Sequence, residues 1–258
     1  MECIVHDYIK ANSFEEPKLV LHLKRLEANY DKFVTGMPNV NVHYAVKANP
    51  HPEILSQLNE LGCRFDCASI GEIGLCVDAG ADPQWISFGN TVKSPAAIRA
   101  AAVLGVRLFA ADSYEELEKI AANAPRSSVY IRLLVRSTEA EWPLSRKFGC
   151  SSSMVVPLMN RAAELGLDPI GISFHVGSQT RHPHMWLDIL DIAASVWIDA
   201  RDAGHPVRLL NIGGGFPSYY GVDVTDPVTY GQTLTQAMEQ RFEGVEYLAQ
   251  EGCRLSQD

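Results

Sequence analysis

The sequence predicts an α/β fold, a (β/α)8 TIM-type barrel incomplete at its eighth strand. Three observations carry this reading. Seven short β-rich runs alternate with helical patterns, the first five recur about every twenty residues, and no linker or low-complexity segment interrupts the series. Strand–helix alternation of this kind joins parallel strands through helical crossovers. A doubly wound sheet is also compatible, but seven units without a break favour the barrel.

The elements follow in order. An amphipathic run, LHLKRLEANYDKF (21–33), precedes the first strand, VHYAV (42–46). Further strands are read at RFDCA (64–68), WISFG (85–89), RLFAA (107–111), VYIRLLV (129–135), GISFHV (171–176) and RLLNIG (208–213). Helix starts are marked locally. Ser69 with Glu72, and Ser113 with Glu116, have capping-box spacing, and Ser94-Pro95 reads as an N-cap followed by the first helical residue. Longer helices fit 152–165, 184–203 and 228–251. The last of these runs up to Gly252, and the tail CRLSQD (253–258) reads as an eighth strand that begins and stops. On this count strands one and seven keep open edges, which a barrel must close, and the expected chain aggregates or orders only with a partner. Residues 1–17 are expected to form an N-terminal extension and 18–258 the barrel domain.

Composition narrows the function. Hydrophobic residues make up 47% of the 258, enough for a large core. A formal net charge of -9 argues against a nucleic-acid partner, which needs a basic face, and leaves room for a cationic small molecule. No apolar run reaches the roughly 18 residues of a membrane span. The opening residues lack a basic flank followed by an apolar stretch, so they do not read as a secretory signal. The six cysteines are scattered, and Cys63 and Cys67 have no second pair to complete a zinc pattern. They read as reduced core thiols of a cytoplasmic protein, with no metal site.

In a parallel barrel the chemistry sits at the carboxyl ends of the strands. Those ends carry Lys47, Asp66 (with Glu72 just beyond), Arg132, His175 with Ser178, and Gly213, Gly214 and Gly215. Lys47 closes a strand that reads as apolar. An amine in such surroundings loses proton affinity, and a neutral amine is the form that adds to a carbonyl. Each residue has a plainer reading as well: Lys47 as a solvated strand end, Asp66 as a turn carboxylate, Glu72 completing its capping box, Arg132 as an ion-pair partner, His175 as a core histidine. The triple glycine lacks the spacing of a dinucleotide fingerprint. It reads either as a tight turn or as backbone that approaches an anion closely, with Ser178 as a further donor. An amine for an imine, amides for a phosphate and an imidazole for a flat ring are together what pyridoxal 5′-phosphate (PLP) requires.

YAVKANP, FDCAS, SFHVGSQ and NIGGGFP, in this order and spacing, resemble the alanine-racemase-fold (fold type III) PLP-dependent decarboxylases. EWPLSRKFGC (141–150) resembles their bacterial ornithine/lysine branch. The resemblance runs from about residue 18 to the end. It implies that Lys47 carries the cofactor, that His175 stacks on its ring, that Ser178 and Gly213 to Gly215 hold its phosphate, and that Asp66, Glu72 and Arg132 set protonation around it. It further implies a lyase that decarboxylates a basic amino acid, ornithine or lysine, to a diamine in polyamine biosynthesis, working as a homodimer when intact. The family's Glu-Pro-Gly-Arg motif and the β-domain after it have no counterpart among these residues, so the chain alone is expected to be inactive. The alternatives are a non-catalytic PLP-binding regulatory barrel and a diaminopimelate decarboxylase.

Overall fold

The computed structural model describes residues 2–18, 20–135, 147–242 and 246–251. The segment 141–146, which opens the branch-specific motif, and the tail 253–258 lie outside the described residues. Two helices, α1 (Glu2–Ala11) and α2 (Leu23–Gly36), come first. Eight strands follow: β1 (Val40–Ala45), β2 (Arg64–Cys67), β3 (Ile86–Phe88), β4 (Leu108–Ala111), β5 (Ser128–Arg132), β6 (Asp168–Ser173), β7 (Leu209–Gly213) and β8 (Glu246–Glu251). Between them lie α3 (Pro52–Glu60), α4 (Ile70–Asp78), α5 (Pro95–Leu104), α6 (Tyr114–Asn123), α7 (Ser152–Glu164), α8 (Leu187–Asp202) and α9 (Pro227–Glu239).

All neighbouring strands pair in parallel and the order closes from β1 to β8. The barrel and its seven expected strands are therefore present, but the expectation of an incomplete eighth strand is corrected. α9 ends at Glu239, twelve residues short of the helix expected over 228–251, and part of the remainder is β8. This strand pairs with β1, where Val40 meets Tyr247 and Tyr44 meets Glu251, and with β7, where Leu209 meets Glu246. The open edges expected on β1 and β7 are thereby satisfied. The sequence of β8, EYLAQE, is rich in helix formers. Two waiting strand edges override that local preference, and Gly244 and Gly252 on either side were the available signal for a break.

The serine caps form as expected. Ser69, Ser94 and Ser113 each accept from a backbone amide in the first turn of α4, α5 and α6. Successive strand residues face opposite sides, and this sorts the strands into two layers. Phe65, Cys67, Ile131, Ile172, Leu210 and Ile212 belong to the large core between strands and helices. Asp66, Ser173 and Asn211 lie between such residues and so face the barrel interior, where a smaller cluster of Ala110, Tyr130, Ile170 and Leu209 fills the centre.

Candidate active site

The polar residues gather at the carboxyl ends of the strands, as the barrel reading requires. Beyond β1 the chain makes one 3-10 turn, Val46–Ala48. Tyr44 donates from its hydroxyl to the Asn49 carbonyl at 3.1 Å and pins that turn. Val46 is buried and Lys47 is exposed. The apolar surroundings expected for the lysine belong to its neighbour instead. Lys47 is nevertheless near enough to Asp66 and His175 for its charge to act on both.

Asp66 is 8% exposed, and its Oδ1 has no hydrogen-bond partner among the described residues. Burial pushes its carboxyl up to about 6, against the opposing pull of Lys47, the Ser87 hydroxyl and Arg132, while Glu72 adds to the rise. Ser87 in turn shares a 2.8 Å hydrogen bond with the buried Tyr130 hydroxyl. Glu72 lies in the first turn of α4, where its amide donates to Ser69 Oγ at 3.2 Å. Its carboxylate accepts from the Ala68 amide at 2.7 Å, one residue before the cap, so the capping-box reading holds in a shifted form.

Arg132 ends β5, half-buried, with its guanidinium 5.3 Å from the centre of the Phe148 ring. Burial lowers its proton affinity, and Tyr130, Asp66 and Asp112 oppose that. His175 lies two residues past β6. Its Nδ1 is 2.9 Å from the Gly214 carbonyl oxygen. A carbonyl only accepts, so Nδ1 carries the proton and the neutral ring keeps Nε2 bare. Burial first, then the charges of Arg132 and Lys47, lower this imidazole to about 4.

The triple glycine is shaped by that same loop. Gly213 has φ +70° and Gly215 φ +112°, conformations that favour glycine. A Cβ on Gly213 would overlap the Phe174 carbonyl oxygen, and one on Gly215 the Gly177 carbonyl oxygen. The Gly213 amide donates to Asn211 Oδ1 at 2.8 Å. Close approach of the β6 loop is thus a structural reason for two of the three glycines, beside the anion-binding reason read from sequence. Ser178 lies half-buried in this loop. The loop is held by Thr180, whose amide donates to the Gly215 carbonyl at 2.8 Å and whose own carbonyl accepts from Tyr230 Oη at 2.8 Å.

Sequence reasoning missed Ser87, Tyr130 and Asn211, which line the interior beside Asp66 and Arg132. Asn211 was findable, being a polar residue at the centre of the apolar run LLNIG. Ser87, at the centre of WISFG, carries the same mark, and Tyr130 carries none. The donor set fits PLP: an accessible primary amine, a buried carboxylate oxygen in want of a donor, a neutral imidazole and a glycine turn converge on one end of the barrel.

Comparison with known proteins agrees. Residues 23–254 match the family model described as "Pyridoxal-dependent decarboxylase, pyridoxal binding domain". The lysine/ornithine decarboxylase of Selenomonas ruminantium is 38% identical over 207 residues, covering 80% of this chain and 53% of that protein. The crystal structure of SrLDC in complex with PLP and cadaverine superposes with a TM-score of 0.90 at 32% identity, over 99% of this chain and 65% of that one. The arginine decarboxylase of Paramecium bursaria Chlorella virus superposes at 0.89 with 28% identity, over 99% and 69%. The chain thus spans about half the length of the curated relative. It belongs to the pyridoxal-dependent decarboxylases, of which it represents the pyridoxal binding domain, and the family's cofactor is the one its motifs implied.

Proposed function

We propose that this barrel holds PLP through Lys47 and that the protein containing it decarboxylates a basic amino acid, ornithine or lysine, to the corresponding diamine. The observation that carries the proposal is the convergence of Lys47, Asp66, Arg132 and His175, which act on one another electrostatically at one end of the barrel. When bound, the cofactor supplies an electron sink for the pair left behind by the departing carboxylate. The chain's own residues do the rest. Lys47 offers its amine from an accessible turn. His175, neutral at pH 7, presents an imidazole fixed by Gly214. Asp66 and Glu72 supply negative charge, and Arg132 a half-buried cation beside Asp66. Ser178 and the turn Gly213–Gly215 are read as the phosphate cradle, with Gly214 and Gly215 the amides available to it, since the Gly213 amide is already given to Asn211.

Similarity to the lysine/ornithine decarboxylase supports the substrate class. A cytoplasmic homodimer serving polyamine synthesis is the setting we assign to the intact protein. We expect the 258 residues alone to turn substrate over far more slowly than an intact relative, because the family's Glu-Pro-Gly-Arg motif is not among them.

The test is release of carbon dioxide from carboxyl-labelled ornithine, lysine, arginine and diaminopimelate, with PLP present and products separated by chromatography. It is run on these 258 residues and on the encoded full-length protein. Putrescine or cadaverine from the full-length protein is the expected result. Turnover of diaminopimelate alone, or PLP binding without turnover of any of the four, would overturn the assignment.

A further inference from the structure

Outside the residues already described, the least expected group is Lys93. It sits in the loop between β3 and α5, where a lysine is ordinarily a solvated residue, yet its side chain is 0% exposed. Its ammonium donates to the Asn90 and Ala110 carbonyls, each at 2.7 Å, and pairs with Glu116 at 2.9 Å. Burying an ammonium carries a penalty of several kcal/mol before pairing, so what the pairing achieves needs a reason.

Glu116 does not supply one. Its carboxylate has a second cation in Lys119, which is 31% exposed and pays less desolvation. Lys119 also donates to the Lys93 carbonyl at 2.7 Å. What Lys93 alone contributes is the tie between Asn90, in the loop, and Ala110, in β4. The loop that it ties is the wall behind the site. The Gly89 amide donates to the Cys67 carbonyl at 3.0 Å, and the Asn90 side chain donates to the Ala68 carbonyl at 3.3 Å. Both acceptors follow directly on Asp66. Any Cβ on Gly89 would overlap the Asp66 carboxylate, so loop backbone lies directly against that group. The Ala68 amide is the one that Glu72 accepts from.

We infer that Lys93 is a positioning residue: its buried ammonium anchors the loop 89–93 to β4 and α6, and the anchored loop stays seated on the end of β2, where it keeps water from Asp66 and holds Ala68 so that its amide fixes Glu72. The inference rests on the reading of Asp66 and Glu72 as site residues. It assigns Lys93 no contact with substrate or cofactor.

The test uses the chain without cofactor, so it stands apart from whether PLP binds. The Asp66 carboxyl is titrated by carbon NMR in the parent, in Lys93→Met and in Asn90→Ala, with stability measured in parallel by urea unfolding. The charges acting on Asp66 are Lys47, Arg132 and Glu72, and all remain in each variant. The parent should titrate near 6. Loosening the loop hydrates the carboxylate, so Lys93→Met should move the midpoint down by about one pH unit, a tenfold change in the dissociation constant, and hydrogen exchange at the Gly89 amide should speed at least about tenfold. Removing the Lys93 charge without loosening the loop would leave the midpoint in place or raise it, since Lys93 is not among the charges that act on Asp66. A Lys93→Met chain that is less stable but keeps its Asp66 midpoint, or raises it, overturns the inference and leaves Lys93 a plain structural ion pair. If that variant does not fold, Lys93→Gln takes its place and is read the same way. Asn90→Ala, which keeps the backbone carbonyl that Lys93 bonds and removes only the side-chain tie to Ala68, should also lower the midpoint, and an unchanged midpoint there overturns the loop's part in the inference.

Discussion

His175 Nδ1 lies 2.9 Å from the carbonyl oxygen of Gly214, and this one hydrogen bond joins the end of β6 to the turn after β7. It sets the tautomer of the ring and aligns the imidazole with the glycine turn. The ring is also held neutral. Its folded value of about 4 lies below the ordinary 6.5. The stability this contributes is present above pH 6.5 and is lost as pH falls through 4, because the unfolded chain takes the proton first. Nitrogen NMR of the labelled imidazole should show a neutral ring protonated at Nδ1 down to about pH 5. A midpoint near 6.5, or a ring protonated at Nε2, would show that the hydrogen bond is not made in solution.

Asp66 works in the opposite sense. Its folded value of about 6 lies above the ordinary 3.8. Below pH 3.8 the carboxyl is neutral in both states and nothing is lost. As pH rises through 6 the folded state must hold a buried charge, a penalty of about 2–3 kcal/mol. Asp66→Asn should therefore unfold at higher urea than the parent at pH 7, with the advantage gone near pH 4. Equal differences at the two pH values would refute burial as the cause of the shift.

Gly215 and Gly221 both have positive φ, but only the first meets a neighbour. A Cβ at Gly215 overlaps the Gly177 carbonyl oxygen, whereas one at Gly221 meets nothing within 4 Å. Gly221→Ala should cost about 1 kcal/mol, the strain of the left-handed region. Gly215→Ala should cost about 2 kcal/mol or more and displace the loop carrying Ser178. Denaturant unfolding of the two variants side by side checks the ordering, and equal losses would mean that the β6 loop yields freely.

What could be read from the sequence was what is decided locally. β1 to β7 announce themselves by apolar runs, and Ser69, Ser94 and Ser113 mark helix starts because a cap needs only the next three residues. Lys47, Asp66, Arg132, His175 and the glycines were legible as strand ends. What escaped depends on contacts distant in sequence. β8 is a strand because β1 and β7 both lack a neighbour without it, and its own residues lean toward helix. Glu116 has the spacing of a capping box, but its carboxylate turns to Lys93 and Lys119. Lys93 itself reads the same in sequence whether it is solvated or wholly buried. The glycines at 213 and 215 read from sequence as a tight turn or an anion's cradle, and the approach of the Phe174 and Gly177 carbonyls, which requires them, could not be foreseen.

The central claim is that Lys47 is the residue that carries the cofactor. Because Lys47 is exposed, Lys47→Ala should leave stability within about 0.5 kcal/mol of the parent, so a change in labelling reports on chemistry rather than on folding. The protein is incubated with PLP, reduced with borohydride, digested and mapped by mass spectrometry. We predict one pyridoxyl group, on the peptide containing Lys47, and none in Lys47→Ala. A pyridoxyl group on a different lysine of the parent, or one retained in folded Lys47→Ala, would contradict the assignment and the reading of the site built on it.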